Sequence, residues 1–430
     1  MSEQVETADV IVVGAGPGGS ATAAYLAQHG LDVLLLEKTS FPRDKICGDG
    51  LTPRAVRELI SLGVPHREED GWHRTKGLRI VGGGVRMELD WPANASFPGY
   101  GLVRRRTDLD EVLARHAASR GARLRERTNV SEPILDRRGH VCGVRAKLMD
   151  GRGRATGETQ EFHAPVVVAA DGVSSRLSLA MDRPKRDDRP MGVAVRTYFT
   201  TPRHDDDYIE SWLELWAPDD QGNKVLMPGY GWLFPCGDGT SNVGLGILDT
   251  AKDFGTFDSR DVMRRWIQTM PEEWGISEET QLGPIRGAAL PMSFNRQPLY
   301  DRGMLLVGDS GGMVNPFNGE GIAEAMEAGR RAAEIIASAL VRPTLGEREA
   351  VLQTYPAVMK DALGGYYMLG KQFATLIGKP EIMRLAVRYG LPRKALMRLL
   401  LKIMANLPQE RGGRLDDRVI NALSRMTPAA

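Results

Sequence analysis

The chain has 430 residues, 42% hydrophobic and 26% charged, with 56 Lys plus Arg against 55 Asp plus Glu for a net charge of +1. That length predicts two or three domains, and the ordinary composition excludes a disordered chain or a small binding module. The even charge balance, with no arginine-rich arm, excludes nucleic acid as the expected partner, and no run of eighteen uncharged apolar residues predicts a spanning helix.

In chain order, Asp9 to Val13 reads as a buried strand, Pro17 to His29 as a small-residue helix closed by Gly30, and Val33 to Leu36 as a second strand. This is a βαβ opening. A helix follows Thr52-Pro53 to about Leu62, and another spans Thr107 to Arg120 with Leu109, Val112, Leu113 and His116 on one face. Pro165 to Ala170 is again a buried strand. Gly77 to Trp91 and Met191 to Leu248 alternate apolar and polar residues, which predicts antiparallel strands of a separate sheet. Met304 to Val307 returns to the buried type, ahead of an Ala-rich helix from about Gly321 to Leu340, and the chain from Thr344 is mostly helical. The predicted fold is α/β. A discontinuous Rossmann-type domain covers residues 1–75, 100–180 and 290–343, an antiparallel β-sheet substrate domain covers 76–99 and 181–289, and a helical C-terminal segment covers 344–430.

Gly14-Ala15-Gly16-Pro17-Gly18-Gly19 fits G-x-G-x-x-G between a strand and a helix, and Glu37 ends the next strand 21 residues after Gly16. Glycines let the backbone approach a pyrophosphate on the helix N-terminus, and Glu37 can accept hydrogen bonds from a ribose diol. NAD and FAD both satisfy this pattern. Gly308-Asp309-Ser310-Gly311-Gly312 also fits the hydrolase pattern G-x-S-x-G, but there the His follows the Ser, and the last histidine here is His204. A trypsin-like order lacks a His beside a Cys and any disulfide framework. The segment instead predicts a strand ending at Asp309 and a glycine-rich turn into a helix starting near Glu320 or Gly321. Asp309 would bond a sugar-alcohol hydroxyl, and the helix N-terminus would face a ring carbonyl. No two His or Cys stand at ligand spacing, so no metal is expected. Cys47, Cys142 and Cys236 are odd in number and far apart, and no basic, apolar signal region leads the chain, which predicts a reducing, cytoplasmic setting.

The glycine motif, Ala170-Asp171-Gly172 and Gly308-Asp309-Ser310 together resemble the three flavin motifs of the hydroxylase-type FAD fold. More narrowly, Phe41 to Gly50 (FPRDKICGDG), Tyr230 to Pro235 (YGWLFP) and Asn315 to Ile322 (NPFNGEGI) are similar to the geranylgeranyl reductase family, whose members saturate prenyl chains. The resemblance implies non-covalent FAD, with Gly14, Gly16, Pro17, Gly18, Gly19, Glu37, Lys38, Arg43, Cys47 and Gly48 among its binding residues; Arg105 and Arg106, just before the helix at Thr107, either contact the FAD phosphates or are simply solvated. Asp171, Gly172, Gly308, Asp309, Pro316, Gly319, Gly321 and Ile322 complete that set. It also places the Cys47-Gly48 turn by the isoalloxazine, and Phe234, Pro235, Phe317 and Asn318 in the substrate pocket. One departure is plain: hydroxylases continue Asp-Gly-x-x-Ser-x-x-Arg, whereas here Ser178 falls at the Arg position and the nearby arginine is Arg176, so the resemblance does not imply their mode of NADPH docking.

The implied reaction is hydride transfer from N5 of reduced FAD to one alkene carbon, with an acid protonating the other. Cys47, Tyr230 and Trp232 form the expected catalytic set, with Cys47, Tyr230 or a water as the acid. Arg43 and Lys45, or a helix N-terminus, are expected to lower the Cys47 thiol pKa; the bland alternatives are a small buried hydrophobe and an ordinary aromatic sheet core. Menaquinone is the first-choice prenyl lipid, followed by geranylgeranyl phospholipids or diphosphates. NADPH, a ferredoxin-like protein or a quinol would supply electrons, because only one dinucleotide fingerprint is present. The alternative on this fold is a flavin monooxygenase or halogenase. Lys360 to Lys402 carries nine basic and two acidic residues, 9 − 2 = +7, so the remainder of the chain is −6. Interleaved with Tyr366, Tyr367, Leu376, Leu396, Met397 and Leu401, these charges predict peripheral contact with an anionic membrane, on its inner face; the alternative is a packed helical cap.

Overall fold

The computed structural model describes residues 5–218, 224–250, 257–409 and 413–427. A six-stranded sheet has the order Tyr300–Asp301, Met304–Leu306, Val166–Ala169, Val10–Val13, Val33–Leu36, Arg123–Arg125. It is parallel apart from the Tyr300–Asp301 edge hairpin. Its inner strands are continuous apolar runs because both faces are covered: the helix Pro17–Gln28 packs on Val10–Val13 and Val33–Leu36, and the strand Val141–Met149 packs on Val166–Ala169. The helix Pro17–Gln28 is rich in Gly, Ala, Ser and Thr because the helix Ile322–Leu340 crosses it closely: a Cβ on Gly329 would lie 2.7 Å from the Gly18 carbonyl oxygen.

A seven-stranded sheet follows the order Gln281–Pro291, Met191–Thr200, Thr240–Leu248, Gly229–Pro235, Tyr208–Trp212, Gly77–Gly82, Val85–Asp90. The two alternating stretches therefore share one sheet, and it is not wholly antiparallel: Tyr208–Trp212 and Gly77–Gly82 run parallel. Val262, Met263 and Trp266 of the helix Ser259–Ile267 close one face of it over Val195, Phe199 and Leu245.

A further sheet of Thr128–Leu135, Val141–Met149 and Ala155–His163, edged by Glu6–Thr7, was not expected from the sequence. Its last strand, ATGETQEFH, is mostly exposed and carries almost no apolar face, so no alternation marks it. The C-terminal segment forms the helices Gly365–Ile377, Pro380–Leu385, Lys394–Met404 and Leu415–Met426. Tyr366 and Tyr367, expected in a lipid interface, are buried instead. Their hydroxyls donate to the Met404 and Met313 carbonyls at 2.9 and 2.8 Å. Among the described residues no helix is long and apolar enough to cross a membrane.

Candidate active site

A cavity of about 510 Å3 lies between the C-terminal ends of the parallel strands, at Val13, Leu36, Ala170 and Val307, and the seven-stranded sheet. Strand ends of this kind are where open α/β sheets bind ligands. The first end of the cavity is charged. Gly14 adopts φ +98°, and a Cβ there would sit 2.4 Å from the Ala170 oxygen, so only glycine makes the turn. Gly16 stands at the N-cap of Pro17–Gln28 with no side chain capping it. The space where its Cβ would be is faced by the guanidinium groups of Arg43 and Arg106, at 3.9 and 4.0 Å. Asp110, fully buried, holds both arginines at 2.8 and 2.6 Å. Glu37 takes the Ala15 N–H at 3.0 Å, the Thr39 hydroxyl at 2.9 Å and Arg43 at 3.2 Å.

The middle of the cavity is the turn Cys47 to Gly50 against the aromatic strand. Asp49 adopts φ +67°, a left-handed conformation that Asp tolerates better than most residues. It is fixed there by the Tyr198 hydroxyl at 2.6 Å, the Asn242 amide at 2.7 Å and the Arg106 N–H at 3.1 Å. Asn242 also donates to the Cys47 carbonyl at 2.8 Å and accepts the Trp232 indole N–H at 2.9 Å, so one side chain ties turn to strand. A Cβ on Gly48 or Gly50 would come within 3.0 Å of the Phe234 ring, which is why the turn needs both glycines. Tyr230, Trp232 and Phe234 face one side, with successive ring centroids 6.1 Å apart, and the Tyr230 hydroxyl donates to the Asn318 carbonyl at 2.6 Å. The Cys47 thiol is pushed up by burial, against the pull of Arg106, so the expected lowering is corrected: Arg43 and Lys45 are not what it faces. Burial also raises the Tyr230 hydroxyl above its ordinary value.

The third part is an apolar arm. Beyond Phe317, the lining passes to Phe373, Ile377, Met383, Val387, Leu391 and Met397, all from the C-terminal helices. Ala386 lines this arm and is exposed, so the cavity opens to solvent there.

The other expected binding residues divide as follows. Pro17, Gly18, Lys38, Gly172, Gly308, Pro316, Gly319, Gly321 and Ile322 line the same cavity. Asp309 lines it too, 3.9 Å from the Lys45 ammonium, and Asp171 presents a buried Oδ1 without a hydrogen-bond partner. Gly19 and Pro235 are outside the lining. Gly19 packs on the Gly14 carbonyl, where a Cβ would come within 1.8 Å, and Pro235 is buried in the ladder opposite Ser241. Arg105, next to Arg106, turns away to Asp238 and Thr240. Asp110, Tyr198, Asn242 and Thr52 were not expected in the site, and Asp49 and Glu320 fell inside expected segments without a role of their own; partners such as Tyr198 on Asp49, Arg43 on Asp110 and Thr52 on Glu320 come from distant parts of the chain.

An uncapped helix N-terminus facing two guanidiniums, beside a carboxylate at the adjacent strand end, fits the pyrophosphate and ribose of FAD. Gly16, Arg43 and Arg106 would hold the first and Glu37 the second. The FAD binding domain family matches residues 7–357. The menaquinone reductase of Mycolicibacterium smegmatis is 36% identical over 404 residues, covering 93% of this chain and 92% of that protein. The digeranylgeranylglycerophospholipid reductase of Methanocella arvoryzae is 32% identical over 364 residues, 83% of each. A geranylgeranyl bacteriochlorophyll reductase-like protein from Thermoplasma acidophilum superposes with a TM-score of 0.75 at 23% identity, over 97% of this chain and 100% of that one. A flavin-dependent brominase superposes at 0.70 with 21% identity, over 97% and 98%. These two structures speak to the fold alone. The chain is thus an FAD-dependent oxidoreductase of the FAD-binding-domain flavoproteins, and within them it belongs to the geranylgeranyl reductase family.

Proposed function

We propose that this protein saturates carbon–carbon double bonds of a prenyl chain, with the menaquinone side chain as first choice and geranylgeranyl lipids next. The observation that carries the reading is the apolar arm: a charged cradle for a dinucleotide continues, past three aromatic rings, into a channel lined by Phe, Ile, Met, Val and Leu and open at its far end. A linear hydrocarbon suits such a channel, since burying each CH2 contributes about 0.8 kcal/mol and needs no polar partner. Reduced FAD, when bound, supplies the hydride. Gly14, Gly16, Gly18, Glu37, Arg43, Arg106, Asp171 and Asp309 bind the cofactor; Tyr230, Trp232, Phe234, Phe317 and Asn318 orient the alkene and exclude water. The arm opens at Ala386, and the exposed side chains Leu376, Leu385, Tyr389 and Leu396 are chain neighbours of its lining or lie close to it in sequence. Arg384, Arg388, Arg393, Lys394 and Arg398 are exposed on the same helices, which favours docking on the anionic inner face of a membrane, where a prenyl lipid resides.

Halogenases share the fold, and the fate of the substrate separates the readings. Protein reduced with dithionite under argon, given menaquinone or a geranylgeranyl lipid, should yield a product heavier by two hydrogens per bond. Gain of oxygen, or of halogen when halide and air are present, would replace this reading with the monooxygenase or halogenase one.

A further inference from the structure

Three acids stand in line where the chain enters and follows the helix Ile322–Leu340: Glu320, Glu324 and Glu327. Arg54, from the helix Pro53–Leu62, closes on the last of them at 2.5 Å, and Arg331 holds its other oxygen at 2.8 Å. Burial alone would raise the Glu327 carboxyl, but these facing cations outweigh it and hold it down at about 2. The other two have no such partner. Glu324 is fully buried and neither of its oxygens has a hydrogen-bond partner; Glu320, Glu327, Arg54, Tyr366 and Tyr367 are charged or titratable groups that interact with it. Glu320 lies in the cavity wall, where the Thr52 hydroxyl is 2.9 Å from both carboxyl oxygens and Tyr230 faces it from the aromatic strand.

Glu324 is dry and unpartnered, Glu320 stands four residues before it in the cavity wall, and the nearest arginine, Arg54, is bonded to Glu327, so ionising both carboxyls is disfavoured and the pair retains a proton. Resting on the prenyl-reductase reading, we propose that Glu320 is the acid of this site, giving the proton that completes saturation of the double bond, with Glu324 behind it keeping the shared proton available. In that step the alkene π bond breaks. One carbon receives the hydride, with its electron pair, from the reduced flavin; the other receives the proton from the Glu320 O–H, and the carboxylate left behind is reprotonated from solvent. Burial raises the Glu320 carboxyl to about 7, matched to an acid working near neutrality, whereas Cys47 and Tyr230 are both pushed above their ordinary values. A raised carboxyl is protonated below its pKa, so the proton is present at lower pH and lost as pH rises through neutrality.

The test is an infrared titration of the flavin-loaded protein beside single-turnover reduction of a geranylgeranyl lipid. The protonated-carboxyl absorption should lose one component as pH rises through neutrality, while the buried Glu324 keeps the other. The titrating component should be missing in Glu320→Gln and persist with a shifted midpoint in Glu320→Asp. Turnover by Glu320→Gln should fall about a hundredfold or more, with the flavin spectrum intact. If Glu320→Gln fails to bind flavin, the rate and midpoint of Glu320→Asp should move together. No titrating band in the wild type, or wild-type turnover by Glu320→Gln, overturns the assignment. A band that titrates and is lost in Glu320→Gln while the wild type reduces no prenyl chain upholds the acid and sinks the prenyl reading.

Discussion

The two ends of the cavity are built on opposite plans. The charged end is made of short contiguous motifs, and each residue in it is demanded by one local feature: Gly14 by a left-handed turn under a carbonyl, Gly16 by an open N-terminus, and Asp110 by two guanidiniums. The apolar arm is assembled from separate helices and strands whose residues would suit any core, with Met397 and Leu391 meeting Ile80 and Leu89 across the gap. A polar ligand is thus specified by particular atoms, while a hydrocarbon is specified by the shape of a space.

That contrast predicts a hierarchy of sensitivity, strongest at the charged end. Asp110→Ala leaves the buried Arg106 guanidinium without its carboxylate and Arg43 with Glu37 alone, and breaking such a buried pair costs about 3–5 kcal/mol. Urea unfolding should report that loss in the apo-protein and a smaller one with FAD bound, because the pyrophosphate then faces Arg43 and Arg106. Equal losses in both forms would mean that the arginines do not face the pyrophosphate. Gly16→Ala places a methyl group in the cradle where nothing in the protein lies closer than 3.9 Å. FAD affinity should fall tenfold or more, about 1.4 kcal/mol, while apo-stability changes by less than about 1 kcal/mol. An unaltered FAD affinity by fluorescence titration would remove the cradle from the binding site.

At the other end, Met397→Trp should narrow the arm and raise KM for a long prenyl substrate more than for a short one, leaving the flavin spectrum unchanged. Equal effects on both lengths would put the chain elsewhere. The smallest effect concerns the mouth. Basic residues near an anionic surface contribute about 1 kcal/mol each, screened by salt. Charge reversal at Arg393, Lys394 and Arg398 should weaken co-sedimentation with anionic vesicles at low salt. Lys402 would be a poor choice, since Asp416 and Asp417 already hold it at 2.6 and 2.9 Å.

What the sequence disclosed follows the same division. The helix Pro53–Leu62 begins after Thr52 as its Pro predicts and ends at Leu62 as expected, and the strand Val33–Leu36 is where its apolar run lies. The segment after Lys360 was legible only as a mixture of basic and apolar residues. Whether Met397 faced lipid or a cavity depended on what packed opposite, and the structure turns it and Leu401 inward while leaving Leu385 and Leu396 exposed. The same limit hid Asn242, and hid the role of Asp49 within a segment that was otherwise read. A single buried carboxylate and an amide far away in the chain acquire a role only when the fold brings them within 2.7 Å.

The central claim, that the bound flavin delivers its electrons to an alkene held in the apolar arm, is tested most directly by flavin reoxidation under argon. The reduced protein should recover its oxidised flavin spectrum on addition of a geranylgeranyl lipid, which has no quinone ring to accept electrons, and should stay reduced with the fully saturated analogue. Reoxidation by both lipids, or by neither under conditions where the geranylgeranyl lipid binds, would contradict the account.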